Sequence, residues 1–531
     1  MDKNQPEKSF FNHLPTAKQW HAIGTHPHHG IALALSSIRN PSSSGIGEYL
    51  DLIPLIDWCK SIGFDVIQLL PLNDSGADTS PYSAHSAMAL HPIYLSLSHL
   101  PSVELFPALI EEIEKICQCN SSQRVNYSQV LHNKEQFLQH YFSLAYPLIH
   151  TWPAYISFVE HNSWVEDYAL YKTFKNVYEE KPWWEWPDTI KDANPSTIEA
   201  LKATYRKEID FHIFVQFCCF DQWSIVRETA DKEGLYLKGD IPILINRDSV
   251  DVWLHRALFM LDYAAGAPPD MYNEEGQYWG FPIYNWEAME KAGYQWWQRR
   301  LQLAEKLYHI FRIDHIVGFF KIWAIPLDRP AKEGFFLPKD ETLWIGQGEK
   351  ILHMMISCCG MLPIGEDLGA VPPTVRECLQ RLGICGTKVL RWERKWDGDQ
   401  SFINTADYQP LSLSCVSTHD SETLTQWWNN HPDEARLFAA SKGWNCPQKL
   451  DPELHRLILQ ECHSSGSLFH INLLQEYLGV FEELAWENPE DERINIPGLV
   501  LDRNWTYRFR PTLEEIITHK PLALLMKSLN R

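Results

Sequence analysis

The chain has 531 residues, 45% hydrophobic and 22% charged, the balance of a folded protein with ample core material rather than of a disordered one. Its 47 basic and 68 acidic residues give a formal net charge of −21, which repels phosphate backbones and anionic headgroups, so neither nucleic acid nor membrane partners are expected. No apolar run reaches the roughly 18 residues that a spanning helix needs, and Met1 to Trp20 lacks the apolar stretch of a secretory signal; the expected location is the cytoplasm.

The first periodic unit reads as strand, helix, strand. Residues 1–27 form a segment ahead of it, and Gly30 to Ser36 is a short apolar run followed by a small-residue loop. Apolar residues then recur at Ile46, Leu50, Ile53, Ile56 and Trp58, close to helical period, and Gly63 stands where a helix should stop. Phe64 to Leu70 has the continuous apolar character of a strand buried on both faces. Further strands are expected at Leu235–Ile241, His309–Asp314, Met361–Gly365, Thr387–Arg391, Leu413–Ser417 and Leu468–Leu473, most of them followed by a turn and a periodic helix. Eight strands alternating with helices suit a (β/α)8 TIM barrel in the α/β class, although the pattern alone also allows an open doubly wound sheet.

Two stretches are too long to be simple crossovers. Residues 28–100 hold the first two strands, and 101–233 is expected to be an inserted helical subdomain, with helices near Val103–Cys117, Lys134–Leu144, Trp164–Tyr178 and Phe211–Lys232. Residues 234–531 complete the barrel and contain an inserted lid loop at 252–286, rich in Pro, Gly, Tyr and Trp. Both insertions are expected at the C-terminal face of the barrel. The twelve cysteines are scattered, with adjacent pairs at Cys218–Cys219 and Cys358–Cys359 that suit core packing better than disulfides. Cys117 and Cys119 lack the second pair that a zinc site needs, and the Asn504-Trp-Thr506 sequon carries no meaning in a cytosolic chain.

Barrel chemistry sits at the carboxyl ends of strands. That rule singles out Asp240 in Gly239-Asp-Ile-Pro242, Asp314 in Arg312-Ile-Asp-His315, Glu366 in Gly365-Glu-Asp-Leu-Gly369 and Asp420 in Thr418-His-Asp-Ser-Glu-Thr423. A single Asp after a strand is ordinarily a helix cap, and Asp367 and Glu422 fit that reading. Four acids at four strand ends, two of them beside histidines, point instead to retaining glycosidic chemistry. There one carboxylate attacks the anomeric carbon, and a second, about 5–5.5 Å away, protonates the leaving oxygen. Arg312 shares a strand face with Asp314 and is placed to keep it ionised.

Aromatics support the same chemistry, because a pyranose stacks its C–H face on a flat ring. Among 22 Trp, 21 Tyr and 24 Phe, Tyr82 in Ser80-Pro-Tyr-Ser83 and Trp279 in Gly276-Gln-Tyr-Trp-Gly280 lie in turn-rich loops where exposure is expected. The Trp183-Trp184-Glu185-Trp186 cluster reads first as packing and second as a sugar platform. His419-Asp420 also resembles the pair of a metal-dependent phosphohydrolase, but no upstream His cluster accompanies it. No HExxH, Walker or nucleophile-elbow motif occurs.

At these residues the chain resembles the 4-α-glucanotransferases of glycoside hydrolase family 77, the amylomaltases or disproportionating enzymes. The likeness is carried by Gln68-Leu-Leu-Pro-Leu72, Ser80-Pro-Tyr82, Gly239-Asp-Ile-Pro242, Asp251-Val-Trp253, Pro268-Pro-Asp270, Gly276-Gln-x-Trp-Gly280, Arg312-Ile-Asp-His315, Gly365-Glu-Asp-Leu-Gly369, Thr418-His-Asp420 and Asn495-Ile-Pro-Gly498. The resemblance implies Asp314 as nucleophile, Glu366 as acid/base and Asp420 as the carboxylate that holds and distorts the sugar. It implies further that Tyr82, Asp240, Asp270, Trp279, Arg312, His315, His419 and Asn495 bind substrate, with Pro268–Gly280 as a loop over the site. It implies no cofactor and no metal, with maltooligosaccharides or glycogen-derived glucans as partners. Asn73 to Ala77, Met271-Tyr272 and Phe281 depart from common family residues and bear on acceptor preference. Two alternatives stay open: an α-amylase-like hydrolase with the same three acids, and a silent glycan-binding protein, which would be expected to lack one of them.

Overall fold

The computed structural model describes residues 8–118, 122–269, 273–396 and 398–530. Eight parallel strands form its centre: β1 His28–Leu33, β2 Val66–Leu69, β3 Tyr236–Ile241, β4 Ile310–Ile313, β5 Leu362–Gly365, β6 Gly386–Val389, β7 Ser412–Cys415 and β8 Phe469–Leu473. They are hydrogen-bonded in the order β5-β4-β3-β2-β1-β8-β7-β6, and a parallel bridge from Ile364 to Cys385 joins β5 to β6. That bridge nearly closes the ring, and each expected strand is present with its ends within three residues of those expected. Burial runs along both faces of these strands, with β4, β5, β7 and β8 buried throughout.

Local chemistry fixes where strands and helices exchange. The helix Leu52–Ser61 ends at Gly63, whose φ of +82° an L side chain rarely adopts. The Gly63 N–H donates to Lys60 O at 3.1 Å and the Phe64 N–H to Cys59 O at 2.9 Å, the paired bonds of a Schellman stop. The chain leaves this stop directly into β2, so the glycine sets the reversal that makes the first βαβ unit. Outer helices pack side by side around the ring: Arg206–Glu233 on Leu52–Ser61, Gln295–Glu305 on Trp344–Cys358, and the latter on Pro373–Leu382. No helix among the described residues is long and apolar enough to cross a membrane.

Between β2 and β3 lie helices Pro107–Cys117, Tyr127–Ile149, Pro153–His161, Trp164–Val177, Pro195–Thr204 and Arg206–Glu233. Four of them match the expected positions; Pro153–His161 and Pro195–Thr204 are additional, each opening on a proline at its first turn. Trp183 and Trp186 are buried, and Trp183 Nε1 donates to Arg247 O at 2.7 Å, so these two rings serve packing, while Trp184 is exposed. The described cysteines are free thiols, most of them buried; Cys119 lies outside the described residues.

A second sheet stands beside the barrel mouth. Tyr263–Ala267 pairs antiparallel with Gln277–Tyr278 on one side and with Ile322–Pro326 on the other, and Phe335–Leu337 pairs with the latter. Half of this sheet comes from the inserted loop after β3 and half from a hairpin after β4 that the residues did not lead us to expect. Gly276 turns the loop with φ +71°, and a Cβ there would stand 2.7 Å from Ala267 O. The loop is thus framed by strands on both sides. Asp270, Met271 and Tyr272 at its tip lie outside the described residues, so the expected substrate role of Asp270 carries no geometry.

Candidate active site

Arg312 organises the mouth of the barrel. It lies within β4, its side chain is 11% exposed, and its guanidinium gathers three carboxyl groups. Nη1 lies 2.8 Å from both oxygens of Asp240 and 3.0 Å from Asp314 Oδ1, while Nη2 lies 3.8 Å from Glu366 Oε2. A planar fork of fixed donors suits this better than a lysine would, since its nitrogens address separate carboxylates at once. Surrounded by that negative charge, Arg312 stays protonated although burial opposes it.

Asp314 and Glu366 each follow the last residue of a strand, β4 and β5, and face the same space. The Glu366 N–H donates to Ile313 O at 2.9 Å, and Glu366 Oε2 accepts the His315 N–H at 2.8 Å. The two acids are thereby tied through the backbone that carries them. His315 adopts φ +42°, a left-handed conformation, which turns the chain sharply after Asp314 and delivers that N–H to Glu366. Trp279, from the inserted loop, stands edge-on to the His315 ring at 5.0 Å and 84°.

Burial pushes the Glu366 carboxyl up to about 8, with the nearby Asp314 charge adding to it and Arg312 opposing. Burial also raises Asp314, again against Arg312, which approaches Asp314 more closely than it approaches Glu366. Burial thus raises both carboxyl groups, and the closer contact with Arg312 opposes the rise more strongly at Asp314 than at Glu366.

Asp420 lies in the loop beyond β7 and is held by its neighbours. Asn495 Nδ2 donates to Asp420 Oδ1 at 2.7 Å, and His419 Nε2 lies 3.2 Å from Oδ2. Burial works to raise this carboxyl, but the His419 charge and these hydrogen bonds outweigh it and bring it down to about 2. His419 is raised in turn, burial being outweighed by Asp420. Its side chain is buried, stacked on Tyr82 at 5.6 Å and 18°. Tyr82 Oη donates to Asp240 Oδ2 at 2.7 Å and lies 3.0 Å from His419 Nε2. A continuous chain of contacts therefore runs Asn495–Asp420–His419–Tyr82–Asp240–Arg312, ending on Asp314 and Glu366.

Described residues expected at the site thus assemble around one mouth. Asp240 is enclosed, and its oxygens are taken by Arg312 and Tyr82, so it anchors these side chains. Asp367 and Glu422, read as helix caps, are not caps. Asp367 accepts the Thr387 N–H at 2.7 Å and pairs with Arg376 Nε at 3.2 Å. The cap of Leu424–Asn430 is Thr423, and Glu422 bonds Asn430 and His431 instead.

Three contributors lay outside the sequence reading. Trp505 packs on Tyr82 at 5.5 Å and on His419 at 5.8 Å, the aromatic middle of the sequon dismissed above. Arg493 donates to Asp420 O at 3.1 Å and to Asn495 O at 2.8 Å, pinning the two loops together; its place two residues before Asn495 was the available signal. Lys238 sits inside the barrel, hydrogen-bonded to Gln68, and burial together with the Arg312 charge pushes it down to about 7. Nothing in its neighbours along the chain marks it.

Removing only the Tyr82 hydroxyl tests the coupling between the two halves of the site. Tyr82→Phe loses a hydrogen bond to a charged acceptor, a contribution of about 1.5–3 kcal/mol. The expected result is a fall of about tenfold or more in kcat/KM with the melting temperature little changed; unaltered steady-state kinetics would exclude such coupling.

Comparison with known proteins agrees with this geometry. The family described as 4-alpha-glucanotransferase, glycoside hydrolase 77, matches residues 33–514. The chain is 43% identical to the 4-alpha-glucanotransferase of Chlamydia pneumoniae over 513 residues, 96% of this chain and 97% of that one. It is 30% identical to the 4-alpha-glucanotransferase of Aquifex aeolicus over 497 residues, 91% and 95% of the two chains. In fold it is similar to the amylomaltase from Streptococcus agalactiae solved in complex with acarbose, at a TM-score of 0.82 and 24% identity, covering 95% of this chain and 98% of that chain.

Proposed function

The chain belongs to glycoside hydrolase family 77 and is a 4-α-glucanotransferase, and from that premise we propose a retaining transfer in which Asp314 and Glu366 share the chemistry. Asp314 attacks C1 of the donor sugar as the glycosidic C–O bond breaks, and Glu366 gives its proton to the departing oxygen. A β-glycosyl ester on Asp314 and an ionised Glu366 result. The 4-hydroxyl of an acceptor then enters, Glu366 takes its proton, the oxygen attacks C1, and Asp314 leaves as a carboxylate. Bonds and protons balance over the two halves, and every step is carried by side chains of the protein.

One observation carries this reading: a single guanidinium holds Asp314 at 3.0 Å and Glu366 at the longer distance of 3.8 Å, and burial pushes the Glu366 carboxyl up to about 8. Arg312 offsets the nucleophile's negative charge, and Asp420, fixed by Asn495 and His419, is placed to accept hydroxyls of the sugar being cleaved. His315 and Trp279 supply an imidazole and an aromatic edge beside the nucleophile. Donors and acceptors are maltooligosaccharides or glycogen-derived glucans. The strands Tyr263–Ala267 and Gln277–Tyr278 lead to Trp279, whose ring beside His315 is an apolar wall that favours a sugar hydroxyl over water as acceptor.

Incubation with maltotriose alone tests the reading. The expected products are glucose together with maltotetraose, maltopentaose and longer chains, at nearly constant total reducing ends. Rising reducing ends without any longer oligomer would replace transfer by hydrolysis.

A further inference from the structure

The mouth of the barrel opposite these acids carries a second polar group. The chain after helix Ala17–Ile23 enters β1 through Thr25-His-Pro-His-His29, whose last two residues open the strand, and Asp65 immediately precedes β2. His28 is buried, and its Nδ1 lies 2.7 Å from Asp65 Oδ2. His26 Nε2 lies 3.6 Å from the same oxygen, and the two imidazole rings are 4.2 Å apart. Among the described residues, this trio is the one group of three His, Cys, Asp or Glu whose ligand atoms all fall within 4.8 Å of one another.

The surroundings orient each member. The His29 N–H donates to Asp65 Oδ1 at 3.1 Å, which fixes the carboxylate and leaves Oδ2 toward the rings. His28 Nε2 faces Gly24 O at 3.4 Å, so the nitrogen opposite Nδ1 has a backbone carbonyl to receive its proton. That is the arrangement by which metal-bound imidazoles are oriented. The His28 ring is also stacked on Phe469 at 4.8 Å and 15°. Gly24 has φ +103°, and a Cβ there would stand 2.8 Å from His26 Nδ1, so a glycine leaves room for that ring beside the carboxylate.

We propose that His26 Nε2, His28 Nδ1 and Asp65 Oδ2 bind one divalent transition-metal ion of the zinc class at the N-terminal mouth of the barrel. A tetrahedral zinc with bonds of about 2.0–2.1 Å sets its ligand atoms about 3.3 Å apart. The spacings of 2.7 and 3.6 Å lie on either side of that figure, so shifts of a few tenths of an ångström complete the site. Two imidazole nitrogens and one carboxylate oxygen suit zinc, cobalt or nickel and give calcium or magnesium too few oxygens. The His26 side chain is 63% exposed, which opens the fourth position to water. The ion ties the segment ahead of β1 to the start of β2. It stands at the far end of the strands from Arg312 and takes no part in glucan transfer.

The test uses the full chain, stripped with EDTA, and His26→Ala, a change at an exposed side chain that leaves the core intact. Zinc chloride is titrated calorimetrically into both, and crystals soaked in zinc chloride are measured at the zinc absorption edge. We expect one ion per chain, at least about tenfold weaker binding in the variant, and an anomalous peak among His26, His28 and Asp65. Maltotriose transfer is expected to be equal in both proteins with and without EDTA. Absence of zinc binding to the unaltered chain, equal affinity in H26A, or a peak confined to the acids around Arg312 would each overturn the assignment.

Discussion

Replacing Asp314 by alanine is expected to lower maltotriose transfer by about four orders of magnitude or more while leaving the fold intact, the loss seen when a covalent nucleophile is removed. The carboxylate is 24% exposed, its recorded ion pair is with Arg312, and that guanidinium keeps both oxygens of Asp240 when Asp314 is gone. No buried cation is stranded, so the melting temperature should change little. Product analysis over long incubations, with circular dichroism on the same samples, reads both quantities. Transfer within about a hundredfold of the unaltered enzyme would move the nucleophile to another residue.

The second large effect concerns Glu366→Gln. General-acid assistance contributes about 10²–10⁴ in rate, so transfer from maltotriose should fall by that factor. With α-glucosyl fluoride as donor the leaving group needs little protonation, and the first half-reaction should recover much of its rate; a variant equally crippled on both donors would not fit an acid role. The pH profile supplies a second reading. Burial holds Glu366 near 8, above its usual 4.5, so the protonated fraction is lost as pH rises through about 8, and kcat/KM of the unaltered enzyme should fall there. The same shift bears on stability. A carboxyl whose folded value is raised favours the folded state below its unfolded value, and that contribution is lost as pH rises toward the folded value. The amide that replaces the carboxyl has no proton to lose, so E366Q should melt progressively above the unaltered protein between about pH 4.5 and 8.

Much of the architecture could be read from residues because its signals are local. Eight short apolar runs, each bounded by turns, became β1 to β8, and Gly63 stopped a helix where its lack of a Cβ allowed. Asp314 and Glu366 were legible for a related reason, since a barrel converts the position just after a strand into a place at one mouth. What stayed hidden depends on partners far away in the chain. Asp240 resembles its fellow acids until Arg312 and Tyr82 close over it. Trp505 acquires meaning only against Tyr82 and His419. The hairpin at Ile322–Leu337 pairs with a loop from another crossover, a long-range match that periodicity cannot register.

The ring of strands also has an uneven circumference. Between β5 and β6 the backbone contributes a single bridge, Ile364 to Cys385, where other neighbours share two to five matched residues. Side chains finish the join: Asp367 accepts the Thr387 N–H, and Thr387 Oγ1 donates to Gly365 O at 3.0 Å. Glu366 sits between those two fastenings. Heating or mild denaturant is expected to loosen this stitch ahead of the longer ladders, so that transfer activity is lost at a lower temperature than the far-ultraviolet circular dichroism of the barrel.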